Sequence, residues 1–165
     1  MSTNVLSSKQ IDRRWHLVDA QDQVLGRIAT EIATKLMGKN KASFVPYLDN
    51  GDFVVVTNAT KVKVSGKKMN QKLYHRHSGY PGGMRVDTLS QMMDKKPTEV
   101  IKHAVRGMLP KNKLGDKMIK KLHVFSGSEH NFRKQLGLEL KTEKVVEEKQ
   151  PEAEAIDTVE GEVKE

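Results

Sequence analysis

The chain has no cysteine. A disulfide scaffold, a thiolate metal centre and a cysteine nucleophile are therefore excluded, and a reducing compartment fits without being required. No apolar run approaches the length of a membrane span, and the opening residues are polar where a signal peptide would carry an apolar core. The expectation is a soluble cytoplasmic protein with no membrane partner. Phosphate-binding loops are missing too. A Walker loop needs glycine five residues before its Gly-Lys pair, because backbone amides must wrap the phosphates with no side chain in the way. Gly66-Lys67 has Lys61 at that place and Gly38-Lys39 has Ala33, and no glycine-rich dinucleotide fingerprint follows a strand-like run.

Metal and catalytic constellations are equally thin. His75 and His77 would share one side of a strand, as a metal site could use. Their neighbours Tyr74, Arg76 and Ser78 supply no third ligand, and Arg76 would repel the ion. His103, His123 and His130 are scattered and read as structural or phosphate-facing. Ser126-Gly127-Ser128-Glu129-His130 holds a serine, an acid and a histidine, but a triad converges in space rather than in sequence. No enzyme, no cofactor, no metal and no small-molecule substrate are expected.

What the chain does have is positive charge, at a formal +8 with a pI near 9.6. Its distribution is uneven. Before Glu139 lie 25 of the 29 Lys and Arg but only 11 of the 21 acids, so that part carries +14 and the segment 139–165 carries −6. A strongly cationic body points to a polyanionic partner. A length of 165 residues suits one domain with a real core. The expected organisation is a loose arm over 1–10, one domain over 11–138 and a disordered acidic tail over 139–165.

Hydrophobic periodicity places the elements. Trp15 to Asp19 reads as a strand, followed by a turn. Leu25, Ile28, Ala29, Ile32, Ala33, Leu36 and Met37 recur at helical spacing, with Gly38 as the stop. Phe53 to Thr57 is a continuous apolar run, the pattern of a central strand covered on both faces. Strand, helix and strand in succession imply parallel pairing and an α/β architecture. Asn58 to Lys61 reads as one helical turn and Val62 to Val64 as a further strand. From Gln71 to Arg85, cations, rings and glycines interleave. This reads as a mobile basic-aromatic segment suited to bases and phosphates, with an exposed hairpin as the plainer alternative. A short helix over Thr88 to Met93, a helix from about Pro97 to Leu109, another from Leu114 to Lys121 and a last strand at Leu122 to Phe125 complete the series.

The stretch Arg106-Gly107-Met108-Leu109-Pro110-Lys111-Asn112-Lys113 joins a helix end, a rigid turn and several cations. Val100, Ile101, Ala104, Val105, Met108 and Leu109 form one apolar face, and Pro110 must end the helix. Arg106 and Lys102 lie on another face, Lys111 and Lys113 follow directly, and Lys113, Lys117, Lys120 and Lys121 are expected to point away from the core. Arg106, Lys111, Lys113, Lys117, Lys120 and Lys121 are the foremost candidates for contact with a polyanion. Lys67, Lys68, Tyr74, His75, Arg76, His77 and Arg85 come second. Lys39 and Lys41, just past a helix C-terminus, can meet phosphate or simply the helix dipole.

Asp19, Leu25-Gly26-Arg27, Gly51-Asp52, Asn58-Ala59, Val64-Ser65-Gly66-Lys67, Gly82-Gly83, Arg106 to Lys111 and Glu129-His130-Asn131 together resemble the large-subunit ribosomal protein L-thirteen family in its bacterial form. The resemblance runs from about Arg13 to Phe132 and leaves the acidic segment from Glu139 without a counterpart. It implies a single three-layer α/β/α domain around a small, mainly parallel sheet. It also implies a non-catalytic constituent of the large ribosomal subunit that binds large-subunit rRNA, meets neighbouring large-subunit proteins and supports early assembly and translation. An additional mRNA-binding role stays open. The rival class is an enzyme that binds a nucleotide at the carboxyl ends of its strands. Saturable nucleotide binding that resists high salt would mark that rival.

Overall fold

Alternating apolar residues make Trp15–Asp19 a strand (β1) and a helical repeat makes Leu25–Met37 a helix (α1), while the apolar run Phe53–Thr57 is the next strand (β2). β1 and β2 pair in parallel, from Trp15 opposite Phe53 to Asp19 opposite Thr57. This is the right environment for β2, because the third strand, Leu122–Val124 (β5), pairs in parallel along its other edge. Val54, Val55 and Val56 are each 0% exposed at the centre. In this computed structural model Ser7 and residues 10–137 are described. Most of the expected arm over 1–10 and all of the acidic segment 139–165 lie outside the described residues.

Both ends of α1 are closed by backbone rather than by side chains. The residue before it, Val24, offers no side-chain cap, and the Leu25 amide instead donates to the Lys63 carbonyl at 2.9 Å. At the far end Gly38 takes φ 77°, and its amide donates to the carbonyls of Thr34 and Lys35, both at 3.1 Å. Such a left-handed closure suits glycine, which has no Cβ to clash.

The two faces of the sheet are covered differently. Val18, Val54, Val56 and Leu122 join the core cluster with Ile28, Ile32 and Leu36 of α1 and with Val100, Ile101 and Val105 of the helix Pro97–Met108 (α4). Each such side chain contributes about 1.5–3 kcal/mol by leaving water. On the opposite face Trp15 stacks on Phe53 at 4.4 Å and on Phe132 at 5.1 Å, and Phe132 lies 4.3 Å from the His123 ring. Burial pushes the His123 imidazole below its ordinary pKa, and the Lys102 charge pushes the same way. Both effects favour the neutral imidazole within this aromatic layer.

The remaining elements surround the α4 side. They are the one-turn helix Lys68–Gln71 (α2), a hairpin of Leu73–His77 (β3) and Met84–Thr88 (β4), and the helices Leu89–Lys95 (α3) and Lys113–Ile119 (α5). Thr88 and Gln91 form a reciprocal capping box on α3. Pro97 opens α4 at the position where a missing amide costs nothing. The α/β class with a small parallel sheet is as the sequence implies. One local expectation is corrected: Val62 to Val64 is not a strand, since only Lys63 bridges, to Val24. For Gln71 to Arg85 the plainer alternative holds, an antiparallel hairpin whose turn uses Gly79 at φ 91° and Gly82 at φ 69°.

Candidate nucleic-acid interface

Of the candidate lysines, Lys41 and Lys121 are committed to the protein itself. Lys121 is buried, with its ammonium 2.5 Å from Asp49 Oδ1 and donating to the Gly51 carbonyl at 2.9 Å. The expectation that it faces solvent fails because α5 ends at Ile119. The chain then turns into β5, so helical spacing no longer decides which way Lys121 points. Burial pushes its pKa down, and the Asp49 carboxylate opposes that. Lys41 lies 2.5 Å from Asp52 Oδ1 and donates to the Asp12 carbonyl at 2.6 Å.

Asp52 gathers further donors, the Arg14 amide and His16 Nε2, both at 3.0 Å. Burial alone would raise its pKa, but the hydrogen bonds from Lys41, Arg14 and His16 outweigh that and hold it below the usual value of 3.8. A depressed carboxylate pKa stabilises the fold above the unfolded pKa, and that stability drains away as pH falls through the folded value. Asp52→Asn is therefore expected to cost about 1.5–3 kcal/mol at neutral pH. The gap from the parent chain should narrow below about pH 4. Urea melts of both proteins at pH 7 and pH 3 check this, and a gap independent of pH would refute it.

The remaining cations near α4 converge. Arg106, Lys111 and Lys113 line one cleft of about 600 Å³, together with His103, Gly107 and Pro110. The cleft owes its shape to a tight backbone contact, since a Cβ on Gly115 would sit 1.9 Å from the Pro110 carbonyl oxygen. Asn112 caps α5 by accepting from the Gly115 amide at 2.9 Å, which fixes the spacing of Lys111 and Lys113. A second hollow shares Arg106 and adds Lys102 and Lys120. Arg106 lies 3.7 Å from Asp116, with both side chains more than 60% exposed, so the pair holds the guanidinium only weakly. Lys117 is exposed on α5. Lys102, absent from the candidates, and His103, which the sequence leaves as structural or phosphate-facing, lie one helical turn before Arg106 and so share its side of α4.

The other candidates divide into groups. Lys39 is exposed past the end of α1. Lys67 and Lys68 are exposed around α2, and Lys68 belongs to a second groove beside Gly107. The hairpin splits its set between its two faces. His75 and His77 share one face with Val86 and Met84, whereas Tyr74, Arg76 and Arg85 share the other with Asp87. Arg76 donates to Asp87 at 2.6 Å, and the Tyr74 ring lies 5.8 Å from the His103 ring, joining this second face to α4. Among the described residues no helix is long and apolar enough to cross a membrane, and no cluster of three or more His, Asp or Glu suits a metal.

Such an arrangement defines an α/β domain with exposed cations on several elements, three of which gather at one cleft. The comparisons agree with that class and narrow it. Residues 13–131 match the family described as Ribosomal protein L13. The chain is 57% identical over 128 residues to the large ribosomal subunit protein uL13 of Synechococcus sp. (strain WH7803), covering 78% of this chain and 85% of the relative. It is 55% identical over 140 residues to that of Syntrophotalea carbinolica, covering 85% of this chain and 99% of the relative. This chain belongs to the ribosomal protein L13 family.

Proposed function

We propose that the protein is a structural constituent of the large ribosomal subunit in the cytoplasm, binding large-subunit rRNA and meeting neighbouring subunit proteins. Its task is to let RNA strands that repel one another pack closely, and to do so early in subunit assembly. The observation that carries the reading is the convergence of Arg106, Lys111 and Lys113 on one cleft in a member of a ribosomal protein family. Lys102, Lys117 and Lys120 extend that cationic side, and Lys39, Lys67, Lys68, Arg76 and Arg85 are further exposed cations outside the cleft. Lys41 and Lys121 are left out, because their ammonium groups hold the fold.

Phosphate contacts of this kind position a protein on RNA and make its affinity depend on salt. The logarithm of affinity for an rRNA fragment should fall by roughly 0.7–0.9 per logarithmic unit of salt for each phosphate neutralised. Lys111→Ala combined with Lys113→Ala should lower the slope by about two, since each lysine accounts for roughly one. Filter binding across a salt series measures both. A flat salt response of the parent chain would overturn the reading.

A further inference from the structure

Two cavities of contrasting chemistry meet at Gly107. On one side is the cationic cleft of Arg106, Lys111 and Lys113. On the other is a groove of about 620 Å³ walled chiefly by Leu25, Gly26, Val64, Ala104 and Met108, with Lys68 and Lys72 among its polar groups. The groove is assembled from the start of α1, the segment before α2 and the end of α4, which are distant in sequence.

Nothing in the core explains its floor. Gly26 and Gly107 both lie within helices, where glycine weakens the helix relative to alanine. A Cβ at either position would meet no heavy atom within 4 Å, so neither is required by packing inside this chain. Met108 ends the apolar stripe of α4 yet is 42% exposed, a flexible apolar side chain left beside open space. Bare helix backbone and an exposed methionine suit a flat apolar group approaching from outside.

A nucleotide matches both linings within a single unit, with an anionic phosphate at one end and a π face at the other. Single-stranded RNA is read in this way, by stacking or burying unstacked bases while cations hold the backbone. We propose that one unstacked nucleotide of the bound RNA straddles Gly107, its phosphate in the cationic cleft and its base in the groove against Met108 and Leu25. Lys68 and Lys72 offer donors at the groove's edge, and Ser65 and Gln71 can donate or accept, so a base edge carrying both kinds of group finds partners there. This rests on the RNA-binding reading and adds to it a site sensitive to RNA shape, separate from bulk charge.

The test uses the full chain and large-subunit rRNA, with affinity, salt slope and chemical reactivity of unpaired bases as readouts. Gly26→Leu fills the groove from a position with open space above it. It should keep the parent melting temperature and salt slope while losing about ten- to a hundredfold in affinity. One unpaired nucleotide protected by the parent chain should become reactive. Met108→Gln, an uncharged change at an exposed position, should repeat the loss even if Gly26→Leu destabilises the fold, and Gly107→Ala should weaken binding without lowering the melting temperature. Parent-like affinity and footprint in Gly26→Leu and Met108→Gln would overturn the proposal. Unchanged RNA binding with loss of a subunit protein would also overturn it, assigning the groove to that protein. Failure of the RNA-binding reading itself would look different, since the Lys111→Ala, Lys113→Ala chain would then keep the parent salt slope.

Discussion

Gly51→Ala is expected to cost about 3 kcal/mol or more, at the upper end of what overpacking does. The added Cβ would stand 1.6 Å from the Leu36 carbonyl oxygen and 2.4 Å from its carbon, both backbone atoms of the last turn of α1. That turn has no freedom to retreat. Leu36 is 0% exposed, Gly38 fixes the helix end, and the Asp52 amide donates to the Lys35 carbonyl at 3.1 Å from the same loop. The new methyl would also lie 2.9 Å from the Lys121 ammonium, so the clash and the ion pair are disturbed together. Denaturant unfolding gives the number, and Gly107→Ala, with open space at its Cβ, serves as the control. A Gly51→Ala chain within about 1 kcal/mol of the parent would show that the loop can slide off the helix end, contrary to this account.

Asp49→Ala should be nearly as damaging, by about 3–5 kcal/mol, because it leaves a charge inside the protein without its partner. Lys121 is only 7% exposed along its side chain, and its other fixed contact is the Gly51 carbonyl. Arg13 also touches Asp49, at 3.9 Å, but from a half-open position that contributes little. Lys121→Met should cost less, since a methionine fills the same space and the Asp49 carboxylate left behind is more exposed than the Lys121 ammonium. Adding it to Asp49→Ala should recover stability relative to Asp49→Ala alone. A double-mutant cycle by urea unfolding reads this coupling. Additive losses would mean that the Lys121 ammonium finds water or another partner once Asp49 is gone.

These positions also mark where sequence reading stops. The main elements were legible because their signals were local. Seven apolar residues at helical spacing followed by Gly38 give α1, and an unbroken Phe53 to Thr57 run gives the central strand. The polar hub of Asp49, Asp52, Lys41 and Lys121 was not legible, because its partners are up to 72 residues apart and a charged residue is ordinarily solvated. Lys121 was misplaced for a related reason, as the helical repeat stops two residues before it. Met108 continues the repeat but sits on the last turn, where the covering layer has ended. For the hairpin, Leu73, His75 and His77 alternate without an apolar contrast, so neither strand announced itself and the glycines suggested a loop. The cleft at Arg106 was half visible. Its cations were plain in the sequence, but their convergence with His103 depends on how α5 turns back beside α4, and the groove shared through Gly107 on how α1 and α4 pack.

The aromatic layer has a practical consequence for all of these measurements. The chain holds a single tryptophan, Trp15, and its ring touches Phe53, His123 and Phe132, so the first, central and last strands and the closing segment all meet at one chromophore. Its fluorescence should therefore report closure of the whole sheet in one signal. The ring also faces away from the helices that carry the cationic cleft. Unfolding can thus be followed optically, with no label, in the same samples used to titrate RNA.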